Sequence, residues 1–120
     1  MDQSLIEVFL PEGLLDYFKV TSVERKEDSY QICLEEQDTV PQEYSGQKLL
    51  SKGFYDEITV HDFPIRAKAC YLKIRRRRWK VVENGRIISR DWGLVAQGTR
   101  LTEEFAAFLK AVHRYNTGEL

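Results

Sequence analysis

An α+β fold is predicted for the 120-residue chain by three features. Apolar residues alternate through Tyr30–Glu36, the long strand around Tyr71–Val81 is followed by an Asn84-Gly85 turn, and a helical stripe runs from Leu101 to Val112. The expected order is a short N-terminal helix and a β-hairpin, then a ribbon-like antiparallel β unit, and a C-terminal helix. Residues 1–37 read as an acidic helix–hairpin unit, 38–52 as a linker, and 53–120 as a basic β-ribbon unit with its helix.

At the start, Leu5, Ile6, Phe9 and Leu10 recur at i, i+1, i+4 and i+5, which suits one or two helical turns. Pro11 fits a first helical turn and Glu12 its positive end, while Gly13 weakens the helix before Leu14, Leu15 and Phe18. The spacing predicts a short helix with broken ends. Tyr17–Arg25 and Tyr30–Glu36 read as two strands joined by the turn residues Glu27, Asp28 and Ser29. Tyr30, Ile32 and Leu34 alternate with Gln31, Cys33 and Glu35, so one face of the second strand is buried.

Hydrophobic periodicity vanishes between Gln37 and Ser51, where Asp38, Pro41, Ser45 and Gly46 interrupt the chain. Gly53–Val60 resumes as a strand, and Phe63-Pro64-Ile65 turns it, at a sheet edge, into the basic stretch that begins at Ala67. That stretch reads as one strand through Val81. Tyr71, Lys73, Arg75, Arg77 and Trp79 share one face, and Leu72, Ile74, Arg76, Arg78 and Lys80 share the other. Leu72 and Ile74 anchor it, and its far half projects as a cationic ribbon. Asn84-Gly85 predicts a tight hairpin returning through Arg86–Arg90. Thr102 caps a helix opened by Glu103 and Glu104, with Leu101, Phe105, Phe108, Leu109 and Val112 as its buried stripe and Gly118 after its end.

The net charge of -1 conceals segregation. Residues 1–47 carry 11 acidic and 3 basic side chains, a balance of -8, whereas residues 66–90 carry 10 basic and 1 acidic, a balance of +9. Four consecutive arginines, Arg75 to Arg78, cannot be absorbed by a core, and they point to a polyanion-binding surface. Trp79 beside them either stacks on a base or sugar or caps the apolar layer under the hairpin. Tyr71 reads as a packing residue. The residues assigned to DNA are Lys73, Arg75, Arg76, Arg77, Arg78, Trp79 and Lys80, with Arg86 and Arg90 as outer phosphate contacts.

No apolar run approaches the roughly 20 residues that span a bilayer. Met1-Asp2-Gln3 lacks the basic start of a signal peptide, so a cytoplasmic location is expected, with Cys33 and Cys70 reduced. Asp56, Glu57 and Asp62 read as a solvated face. His61 and His113 are lone histidines, and phosphate-loop and dinucleotide fingerprints are absent from the sequence. The chain therefore reads as non-enzymatic and cofactor-free.

Gly53-Phe54-Tyr55, His61-Asp62-Phe63-Pro64-Ile65 and Tyr71-Leu72-Lys73-Ile74-Arg75-Arg76-Arg77-Arg78-Trp79 resemble the N-terminal region of bacterial insertion-sequence transposases of the ISL type. In that family a strand ends in a D-[LF]-P-[IV] corner, a Y-L-x-[IV]-x-x-R-R-[YW] strand follows, and a hairpin ends in G-R. The resemblance covers about residues 38 to 115. The N-terminal helix and hairpin look like the short companion reading frame of a subgroup whose transposase is split. Family members carry a zinc ribbon here. Its C-P-x-C pair falls on Val40 and Glu43, and its C-x-x-C-G-R pair on Val81 and Asn84. With none of the four a cysteine, the ribbon is expected to be zinc-free and held by packing.

The resemblance implies a DNA-binding accessory or N-terminal region that recognises element ends for a separate catalytic transposase chain. Residues 102–115 would then begin the family's helix-turn-helix bundle. The rival reading is a protein-interaction module whose basic ribbon docks an acidic surface, such as the N-terminal half of another copy, as a homo-oligomer.

Overall fold

The computed structural model describes residues 3–90, 93 and 100–117. It is an α+β protein with two sheets and a C-terminal helix. Two short helices, α1 (Gln3–Glu7) and α2 (Leu14–Tyr17), lead into β1 (Phe18–Arg25) and β2 (Ser29–Glu36). A 3-10 turn at Gln42–Tyr44 precedes β3 (Leu49–Phe54), and β4 (Ile58–Ile65), β5 (Lys68–Arg75), β6 (Arg77–Val81) and β7 (Ile87–Ile88) follow. The chain then reaches α3 (Glu103–Thr117). Gly118, expected just past that helix, lies outside the described residues.

The first sheet has the order β1-β2-β5-β4, and the second β3-β6-β7. The division by sheet is therefore not the division by sequence. The acidic hairpin β1–β2 joins the basic half directly, because β2 pairs with β5 in parallel, with Ile32 opposite Leu72 and Leu34 opposite Ile74. Burying those four apolar side chains on one face requires this junction, since a two-stranded hairpin has too little partner surface of its own. Residues 49–52, expected in a linker, belong to β3. The strand expected over Gly53–Val60 is two strands in different sheets.

The first core consists of Ile6, Leu10, Leu14, Leu15, Phe18, Ile32, Leu34, Val60, Cys70, Leu72 and Ile74. The second is smaller: Leu49, Trp79, Val81 and Ile88, with Tyr44 against it. The composition of the two cores explains why the basic stretch is not one strand. Its inward positions are even-numbered in β5 (Cys70, Leu72, Ile74) and odd-numbered in β6 (Trp79, Val81). A continuous strand keeps one parity. The chain therefore breaks at Arg76 and passes from the first sheet into the second.

Two turns depart from expectation, although Pro64 does lie at a sheet edge. Pro64 lies inside β4, an edge strand with a register shift between Asp62 and Ile65. The reversal into β5 falls on Arg66 and Ala67, which take φ of 53° and 66° between the paired Ile65 and Lys68. The Asn84-Gly85 turn is wider than a two-residue hairpin: Val81 N–H donates to the Arg86 carbonyl, and Gly85 N–H, at φ 73°, donates to the Val81 carbonyl. The returning strand is only Ile87–Ile88.

The C-terminal helix is capped as expected. The Thr102 hydroxyl accepts from Phe105 N–H at 3.3 Å, and it donates to the buried Asp62 Oδ1 at 2.8 Å. The predicted stripe is buried only in its first turn, at Phe105. Phe108, Leu109 and Val112 are 50%, 41% and 37% exposed, because the helix runs past β4, the element it packs on.

Left-handed backbone at Arg66 and Ala67 costs each residue about 1 kcal/mol. The double variant Arg66→Asn, Ala67→Gly supplies the residues such a turn prefers. It is expected to raise stability by about 1 kcal/mol in urea unfolding, without a change of m-value.

Candidate nucleic-acid interface

The alternation that buries Ile32 and Leu34 carries Glu36 inward as well, and its residue is 1% exposed. At Glu36 the two sheets meet. Its Oε1 accepts from the Arg77 N–H at 3.1 Å. Its Oε2 accepts from Trp79 Nε1 at 3.1 Å and from Arg90 Nε at 3.4 Å. Its carbonyl accepts from Arg77 Nε at 2.9 Å. Arg77 Nη1 continues to Ser51 Oγ at 2.8 Å, and Arg90 Nη2 to the Thr39 carbonyl at 2.6 Å. The Arg90 guanidinium also lies 4.2 Å from the centre of the Tyr17 ring. An ion charge this deep is tolerated only because the carboxylate oxygens and the guanidinium donors are met by hydrogen bonds.

Three residues assigned to DNA from sequence are thus internal. Trp79 is 1% exposed and caps the second core with its indole N–H on Glu36, so its ring offers no face to a base. Arg90 is 7% exposed and held by Glu36 and Thr39. Arg77 is half-buried and commits its backbone and side-chain donors to Glu36 and Ser51. Lys73 is half-buried and donates to Thr59 Oγ1 at 3.0 Å. Arg75 is exposed but pairs with Glu35 at 3.2 Å.

Arg76, Arg78, Lys80 and Arg86 are the assigned cations whose side chains make neither a hydrogen bond nor an ion pair among the described residues. The arginine run is divided between two neighbouring rings. Arg75 and Arg77 lie over Phe54 at 4.4 and 4.6 Å, and Arg76 and Arg78 over Tyr55 at 5.0 and 5.9 Å. The Tyr55 ring thus lies within cation–π reach of two guanidinium groups, of which Arg78 is exposed while Arg76 is half-buried, its Nε buried without a partner.

Strand register completes the surface. Leu50 lies opposite Lys80, which lies opposite Ile87, and Val82 N–H donates to the Lys48 carbonyl. Lys48, Leu50, Arg78, Lys80, Val82 and Ile87 therefore share the outer face of the second sheet, with Trp79, Val81, Leu49 and Ile88 on its inner face. Lys48, and the exposed Lys52 at the β3 bulge, were not assigned from sequence because they fall in the stretch read as a linker. Their flanking of the apolar Leu49-Leu50 pair was the available signal.

Val40, Glu43 and Asn84, three of the four positions where the resemblance places cysteines, are exposed, and Val81 is buried in the second core. Among the described residues no three His, Cys, Asp or Glu side chains are grouped as a metal site. His61 is held between Tyr71 and Phe105, at ring distances of 5.0 and 5.1 Å, beside an open cleft of about 720 Å³ that Asp56, Glu57 and Arg100 also line. Both cysteines are free thiols. Cys70 is completely buried, and burial first and the Asp62 carboxylate second push its thiol up to about 11.

Glu36→Gln keeps the shape but places an amide NH2 against donors only, and leaves the buried Arg90 guanidinium without its anion. It is expected to cost about 3 kcal/mol in urea unfolding, whereas Glu35→Ala, at the exposed Arg75 pair, changes stability by less than about 1 kcal/mol. At pH 8 the Cys70 thiolate fraction is on the order of one in a thousand. Iodoacetamide labelling followed by mass spectrometry is expected to modify Cys33 in the folded protein and Cys70 only after unfolding.

No family model matches the chain, and neither the curated proteins nor the solved structures contain a significant match to it.

Proposed function

We propose that the chain is a DNA-binding accessory or N-terminal region of an insertion-sequence transposase, recognising element ends for a separate catalytic chain. The sequence resemblance supplies the transposase context. The observation that carries the DNA reading is the outer face of the second sheet, where Lys48, Arg78 and Lys80 are collected and Arg78 is stacked on Tyr55 beside Arg76. A flat cationic strand pair of this kind can follow a phosphate backbone or enter a major groove. The internal arginines serve the fold, so binding rests on Lys48, Lys52, Arg76, Arg78, Lys80 and Arg86. The chain has no catalytic assignment in this reading. A cytoplasmic location is part of it, and among the described residues no helix is long and apolar enough to cross a membrane.

A protein-docking role for the same face is the second reading. It is favoured by the exposure of Leu50, Val82 and Ile87, at 51%, 43% and 41%, among the cations. An acidic surface with apolar side chains would complement it.

Fluorescence anisotropy on duplex DNA across a salt series separates the two. With about five phosphates neutralised, the log–log slope is expected near -4.5. Arg78→Ala with Lys80→Ala should reduce that slope by about 2 and weaken binding at least about tenfold at 0.1 M salt, at unchanged thermal stability. Arg77→Ala should instead lower stability. Equal binding by the wild type and the double variant would remove the DNA reading and leave protein docking.

A further inference from the structure

The open cleft beside His61 collects groups that the fold itself does not use. His61 and Tyr71 are cross-strand partners on β4 and β5, their rings 5.0 Å apart, and both line it. Arg100 and Leu101 line it from beyond the edge of β4. They are held there because His61 N–H donates to the Arg100 carbonyl and the His61 carbonyl accepts from Thr102 N–H. Asp56 and Glu57 line it where the chain enters β4. Among the described residues, the Arg100 guanidinium, the Tyr71 hydroxyl and the two carboxylates make no hydrogen bond or ion pair. Tyr71 is nevertheless half-buried.

These are the groups that recognise a nucleotide. A ring offers a base a surface to stack on, a guanidinium suits a phosphate, and a carboxylate accepts from an exocyclic amine. At about 720 Å³ the cleft is large enough for one nucleotide. Two connections join it to the cationic strands. Asp56 directly follows Tyr55, whose ring lies 5.0 and 5.9 Å from the Arg76 and Arg78 guanidinium groups. Tyr71, Lys73 and Arg75 succeed one another along the same face of β5, at steps of about 7 Å, toward β6. Lys73 donates to Thr59, which also lines the cleft.

We propose that this cleft binds one unpaired nucleotide of the DNA held on the cationic face, its base stacked on Tyr71 and His61 and its phosphate on Arg100. The assignment rests on the DNA reading of that face and adds to it a preference for a single-stranded end. A base inside a duplex has both faces covered by its neighbours, so only an unpaired one enters. Asp56 and Glu57, as carboxylates, accept hydrogen bonds and donate none. They favour adenine, cytosine or guanine, which carry an exocyclic amine, over thymine, which has none.

Fluorescence anisotropy at about 0.1 M salt tests this with a blunt duplex and the same duplex carrying a short 3′ or 5′ adenine overhang. The wild type is expected to bind one of the overhang duplexes at least about fivefold tighter than the blunt one, the lower end of what one stacked base contributes. Tyr71→Leu should remove most of that gain. Arg100→Ala, at an exposed residue, should reduce the gain and lower the salt slope for the overhang duplex by about 0.7. Both variants should bind the blunt duplex as the wild type does. Asp56→Asn with Glu57→Gln should abolish the preference for adenine over thymine overhangs. Overhangs that add nothing to wild-type binding of the blunt duplex would overturn the proposal and leave the DNA reading standing. A gain that survives both Tyr71→Leu and Arg100→Ala would overturn it as well. No binding to any of the duplexes would remove the DNA reading and the cleft assignment together.

Discussion

Glu36 sits where the two sheets meet, and its carboxylate must be satisfied there by donors from both sides because water does not reach it. Arg77 and Trp79 reach it from β6, and Arg90 from beyond β7, while its own backbone ends β2. Each donor fixes a different part of the second sheet relative to the first. The adjacent Gln37 ties the same corner to the N-terminal segment, with its N–H on the Tyr17 carbonyl and its side chain near the Leu15 and Phe18 carbonyls. Neither core is large, so this buried polar junction, fully met by partners, sets the relation between them.

The same junction divides the arginine run by role. Crossing from β5 to β6 at Arg76 turns Trp79 and Val81 inward and Arg78 and Lys80 outward. Arg77, next to the break, is drawn to Glu36 and Ser51. What remains on the outside is a narrower cationic face than the run of four suggests, widened from the other side by Lys48. Phe54 and Tyr55 each hold two guanidinium groups, which limits the rotamer freedom that four adjacent long side chains would otherwise keep.

At the opposite edge of the first sheet, Asp62 and Thr102 anchor the start of α3, and His61 adds backbone bonds to Arg100 and Thr102 on both of its sides. This fixes the first turn and the direction of the helix and leaves Phe108, Leu109 and Val112 partly exposed. The cationic sheet face and the apolar helix face thus lie on different elements, and a change in one need not disturb the other.

The sequence alone determined the local elements with strong periodicity or punctuation: the β1–β2 hairpin, the one-sided burial of β2, the Thr102 cap and the start of α3, and the cationic character of residues 73–80. It also contained two signals whose meaning depends on long-range pairing. The shift of buried parity between Ile74 and Trp79 marks the strand break, and the inward position of Glu36 follows from Ile32 and Leu34. Neither states its partner. Only the tertiary structure decided that β2 pairs in parallel with β5, that Trp79, Arg77 and Arg90 converge on Glu36, and that Phe108, Leu109 and Val112 are left partly exposed. The reason is physical: periodicity reports that a face is apolar or charged, whereas burial depends on whether another element, distant in sequence, arrives to cover it.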